Sequence, residues 1–124
     1  MGKKHFTHGR LKVFMTIILA VILIVLVVVC AKKIKLAQNE KNIIGTWKNS
    51  NSENVITVQD SDTLILYNDI PEAGLYHGNA SYHFSYTDTI CITQDDISAE
   101  FDIDVDENQL IIYFAGQVYL VLQK

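Results

Sequence analysis

One proline, two cysteines and six glycines in 124 residues leave little room for several architectures. Collagen-like and low-complexity chains need far more proline and glycine, and a small disulfide scaffold needs far more cysteine. The two cysteines are also badly placed for each other. Cys30 lies in a long apolar run and Cys91 lies between Ile90 and Ile92, so no disulfide is expected and both read as small apolar filler. Chemical motifs are as scarce: there is no Gly-x-Ser-x-Gly elbow, no His-Glu-x-x-His, no glycine-rich phosphate loop and no Cys-x-x-Cys. Asp102-x-Asp104-x-Asp106-Glu107 looks briefly like a calcium loop. Glu107 stands where that loop needs glycine, Tyr113 stands at its twelfth position, and Ile103 and Val105 alternate with the acids as in a strand. A solvated strand face accounts for it. His77 and His83 lie near Asp69 and Glu72 and read as surface residues, and His5 and His8 have no acidic or cysteine partner nearby. No enzyme activity, no cofactor and no metal site is expected.

What the chain does have is a nineteen-residue apolar run, 13–31, in which Thr16 is the one polar side chain. As a helix it would be about 28 Å long at 1.5 Å per residue, close to the hydrocarbon thickness of a bilayer. It is expected to span a membrane. The division is then residues 1–12 as a cytoplasmic tail, 13–31 as the transmembrane helix, 32–42 as a linker and 43–124 as one small domain. Four basic residues precede the run (Lys3, Lys4, Arg10, Lys12) and four follow it (Lys32, Lys33, Lys35, Lys41), so counting positive charge does not orient it. A short basic segment ahead of the run favours a signal anchor with the domain on the extracytoplasmic side of the cell membrane. Two processed forms stay open: cleavage after Val29-Cys30-Ala31, against which the run is overlong, and acylation of Cys30, against which Val29 takes a place usually held by a small residue. Myristoylation is excluded, because Phe6 stands where serine or threonine is required.

Charge divides sharply at the same boundary. Residues 1–41 carry +7 and residues 42–124 carry −11, which together give the net −4. A domain so acidic repels phosphate backbones and anionic headgroups, so nucleic acid is not an expected partner. Its size allows burial of only ~60–65% of the unfolded surface, which leaves no room for a large cleft.

From Ile43 onward apolar and polar residues alternate in short runs closed by Asp, Asn, Gly or Ser. This pattern predicts eight antiparallel strands over residues 43–48, 54–59, 63–67, 81–86, 89–93, 99–104, 109–114 and 117–123. Hairpin-length turns join most of them, and an up-and-down meander of eight closes most economically into a small barrel. The expected fold is therefore all-β, an eight-stranded antiparallel barrel behind one transmembrane α-helix. Phe101, Ile103 and Val105 would face the core opposite a ladder of carboxylates. Leu110, Ile112 and Phe114 would share an inner face, as would Val118, Leu120 and Leu122, with Ile111, Tyr113, Tyr119 and Val121 on the outer one. Such a two-sided last hairpin calls for a cover on its outside: the linker helix, a partner chain or the membrane interface. The one long connection, 68–80, holds Pro71 and is a candidate lid or contact loop anchored by Tyr76 and His77.

Ile43-Ile44-Gly45-Thr46-Trp47-Lys48, followed by seven short strands and a last strand ending near Tyr119 and Lys124, resembles the small bacterial lipocalin-like (calycin) domains. The resemblance implies a barrel in which Gly45 and Trp47 form the opening motif, Trp47 plugs the closed end and Lys124 packs across it as the basic residue. It also implies a small apolar ligand. From the strand spacing itself, Tyr82 and Phe84 with Phe101 are candidate pocket-lining residues, with Tyr76 and His77 as contacts from the long loop for a ligand or peptide. An eight-stranded interior filled by its own side chains is nevertheless the reading favoured. In a bacterial host the sequon Asn79-Ala80-Ser81 would have no meaning. Two functions then compete. One is a membrane-anchored binding module; the other is a structural or interaction module of the cell envelope, with a solid barrel that docks on a partner protein. A cavity lined by Tyr82, Phe84 and Phe101 would favour the first, and a filled interior with an apolar outer patch would favour the second.

Overall fold

A computed structural model describes the backbone from Gly2 and the side chains from Gly9 to Lys124, so the His5–His8 pair lies outside the described side chains. The chain forms two compact units, one ending at Ile34 and one running Lys35–Lys124. The first is helical. Helix α1 (Gly2–Asn42) contains a stretch long and apolar enough to cross a membrane, and none of that stretch is buried in protein. Its one polar side chain, Thr16, turns its hydroxyl back onto the Lys12 carbonyl at 2.9 Å, so nothing polar is left pointing outward.

The second unit is a closed barrel. After the last turns of α1, strands β1 (Gly45–Lys48), β2 (Asn54–Val58), β3 (Thr63–Leu66), β4 (Gly78–Tyr86), β5 (Thr89–Gln94), β6 (Ile97–Val105), β7 (Gln109–Phe114) and β8 (Gln117–Gln123) pair antiparallel in chain order. The circle closes where Lys48 of β1 meets Gln123 of β8. Alternation fills the middle. Ile56, Val58, Leu64, Leu66, Ile90, Ile92, Phe101, Ile103, Val105, Leu110, Ile112 and Leu122 point inward and are all buried, around Trp47. The expected fold is the observed one.

Several details differ, each for a local reason. The polar segment 32–42 continues the helix, which holds to Asn42, and Asn39 donates from its amide to the Thr87 carbonyl at 2.9 Å. The first strand begins at Gly45, not Ile43, because Ile43 is spent on sealing the barrel end at 1% exposure. The fourth strand starts at Gly78, three residues early, since Gly78, Asn79 and Ala80 pair with Leu66, Ile65 and Leu64 despite poor strand propensity. In the last hairpin Ile112 pairs with Leu120 but Tyr113 pairs with Val118, which leaves Tyr119 as an extra residue. That bulge reverses the expected faces. Val118 turns outward with 60% exposure, and Tyr119 packs against the core beside Phe114, their ring centroids 6.4 Å apart.

Candidate functional site

The strand order puts the turns after β2, β4 and β6 at one end of the barrel, together with the chain entry at Ile43 and the exit at Lys124. This end is sealed by Trp47, which is fully buried and donates from Nε1 to the Ile43 carbonyl at 2.8 Å. Lys124 lies over it. Its ammonium is 5.0 Å from the indole centroid and donates to the Asn42 carbonyl at 3.0 Å. Gly45 makes room for that stem: it has φ 138°, and a Cβ there would come within 2.9 Å of Lys124 Cε. At the same end Asp60 Oδ1 accepts from the Asp62 and Thr63 amides and the Thr63 hydroxyl, which lowers its pKa to about 2. Tyr82 reaches the same turn, giving its hydroxyl to the Asp60 carbonyl at 2.6 Å, and burial first, then nearby carboxylates, raise it to about 12.

The opposite end is covered by the segment between β3 and β4. Ile70 and Leu75 bond to each other across a small bridge and bury their side chains in the barrel mouth, at 6% and 2% exposure. A 3-10 turn, Pro71–Ala73, lies between them. Polar latches hold this lid. Gln94, on the inward side of β5, accepts the Tyr76 amide at 2.9 Å through Oε1 and donates through Nε2 to the Tyr76 carbonyl at 2.7 Å. Tyr119 donates to Glu72 Oε2 at 2.9 Å, and the Tyr76 hydroxyl donates to Asp95. The His77 amide donates to Asp69 Oδ1 at 2.9 Å, with the ring Nδ1 at 2.7 Å from the same oxygen, and this contact lowers the Asp69 pKa.

The flank of the barrel carries the remaining features. Ile111, Tyr113, Val118 and Val121 line the outer face of β7 and β8, and on neighbouring β6 the outward residues include Glu100, Asp102 and Asp104. Where the last turns of α1 meet that face there is a pocket of about 490 Å³, lined among others by Lys35, Asn39, Asp88, Asp102, Asp104 and Tyr113.

Of the residues the sequence singled out, Gly45, Trp47 and Lys124 come together at the closed end. Of the expected ligand contacts, Tyr82, Phe84 and Phe101 belong to the same inner cluster. Tyr82 touches Phe84 edge-on at 6.4 Å, and Phe101 stacks on Phe114 at 5.2 Å, whereas Tyr76 and His77 belong to the lid's outer, exposed side. Two residues escaped sequence reasoning: Gln94, whose signal is a polar residue continuing the inward series Ile90, Ile92, and Asn39, whose partner is 48 residues away. Comparison with protein-family models, with curated proteins and with solved structures gives no match.

Proposed function

We propose that this chain is a lipocalin-like barrel held at the extracytoplasmic face of a cell membrane by an N-terminal signal anchor, and that it acts there as an interaction module rather than a carrier. The lipocalin-like reading rests on Trp47 under Lys124 at the closed end, beside the glycine that leaves space for the lysine. The anchor reading rests on the apolar stretch of α1 and the basic residues ahead of it. One observation carries the choice of function. Six of the inward side chains, Trp47, Leu64, Leu66, Phe101, Leu110 and Leu122, are at 0–2% exposure, with Phe84, Phe114 and Leu120 partly buried around them, while Val118 and Val121 outside are 60% and 50% exposed. A ligand cavity would leave its walls accessible, whereas a solid barrel can only recognise through its surface.

The partner that suits this surface is a protein with an apolar contact strip bordered by basic side chains, because the apolar residues of β7 and β8 lie beside the carboxylates of β6. Site-specific photo-cross-linking in intact cells tests it. A cross-linker at Val121 should trap one protein adduct that V118D abolishes, while the unfolding free energy stays within the change of about 0.5 kcal/mol expected of a surface substitution. An adduct pattern indifferent to V118D would overturn the reading.

A further inference from the structure

The pocket beside β6 borders the apolar face and shares Asp102, Asp104 and Tyr113 with that surface, but it adds a buried polar group of its own. Asn39 lines it and is 98% buried; its Nδ2 is engaged by Thr87, but its Oδ1 has no hydrogen-bond partner. A buried amide oxygen left without a donor is costly, and such groups are satisfied by ordered water or by a bound ligand. Around it stand three carboxylates. Asp102 already accepts the Thr89 hydroxyl at 2.8 Å, whereas no side chain among the described residues engages Asp88 or Asp104. Every unmet requirement in the pocket is therefore for a donor or a positive charge. Among the described residues that line it the one cation is Lys35, which shares the pocket with three carboxylates and also lies in the field of Asp106.

The shape of the charge distribution narrows the ligand. Among the described residues no three acidic, histidine or cysteine side chains converge closely enough to hold a metal ion. A spherical cation would meet the carboxylates one at a time, but an extended cation with several N–H donors can span them and still reach the amide oxygen. The pocket volume falls in the roughly 300–1,000 Å³ range of small-molecule sites, and Tyr113 offers an aromatic ring to an alkylammonium stem. We propose that this pocket binds an extended organic cation bearing protonated amines, with Asp88 and Asp104 as its charge partners and Asn39 Oδ1 as a hydrogen-bond acceptor. The amines belong either to a free polyamine or to lysine side chains of a peptide.

Titration calorimetry on the full chain in phosphatidylcholine nanodiscs, whose headgroups do not compete for polyamines, tests the site with two probes, spermidine and a blocked trilysine peptide. Saturable binding of one probe is expected, with the tighter one identifying the source of the amines. The double variant D88N/D104N should weaken it at least tenfold, since it removes both charge partners of the bound amines. Lys35→Gln should tighten it several-fold by removing the one repulsive charge, a gain that a merely structural role for the pocket would not produce. Unchanged thermal melts of these variants serve as the folding control. Absence of saturable binding by both probes, indifference to D88N/D104N, or equal competition by magnesium would each overturn the proposal.

Discussion

At the scale of single residues, the closed end shows how few side chains fix a barrel terminus. Trp47 is the largest fully buried residue, and its indole N–H is satisfied by the Ile43 carbonyl, so it contributes both volume and a bond that holds the chain entry. Trp47→Ala should cost about 3–5 kcal/mol in denaturant unfolding. Gly45→Ala should also destabilise, because it forces an L-residue to φ 138° and drives Lys124 off the indole; a melt unchanged from the parent would contradict the packing described. Asp60 sets an acid limit. Its folded pKa of about 2 lies below the ordinary 3.8, so its stabilising contribution is complete above about pH 4 and is lost as pH falls through 2, where the Asp60→Ala variant and the parent should converge in melting temperature. This end was largely legible in the sequence, since glycine and tryptophan two apart at the head of an alternating run mark a strand entering a core. Asn39 and Gln94 were not. A buried polar residue reads as a surface one until its partner is known, and their partners, Thr87 and Tyr76, are distant in the chain.

At the scale of elements, the lid and the last hairpin carry the departures from simple alternation. A long connection with one proline announced a lid, yet nothing in the sequence announced that Ile70 and Leu75 would plug the mouth; spaced five residues apart they fit no strand period. Leu75→Ala should cost about 2–5 kcal/mol and expose the lid amides to hydrogen exchange before those of β5 and β6. The lid's Asp69 contact also gives it a pH response. Because the folded pKa of Asp69 is lowered, the contact stabilises above the ordinary carboxylate value of 3.8 and fades as pH falls below it, so lid amides should lose protection in acid while Asp69→Asn removes that dependence. In the last hairpin the turn Ala115-Gly116 has positive φ at both residues, 52° and 77°, a twist that suits a two-residue hairpin but strains alanine. Ala115→Gly should raise stability by up to about 1 kcal/mol. The bulge at Tyr119 was invisible in the pattern, because valine, tyrosine and leucine in series suit either face and only the register decides.

At the scale of the whole molecule, an apolar helix and an acidic barrel are separable units, and the boundary in charge coincides with the boundary in period. Residues 35–124 should therefore unfold in one cooperative transition without the apolar helix, which circular dichroism with denaturant would check. The barrel itself was the most legible feature, since eight short alternating runs with hairpin turns admit few other closures. A filled interior was favoured by the sequence but not fixed by it, because aromatic residues at strand spacing line pockets and cores alike. The filled reading is supported by Tyr82 and Phe101, which are 3% and 1% exposed, Tyr82 lying edge-on to Phe84 and Phe101 tilted on Phe114.

The solid interior is the claim on which the rest depends, and native mass spectrometry of the full chain, released from its own membranes in a mild detergent, tests it directly. The expected result is the mass of the chain with no apolar small molecule retained, alone or bound to a second protein that V118D releases. An apolar molecule of fixed mass, held by the parent chain and displaced by filling the barrel with Ala80→Leu, would contradict it.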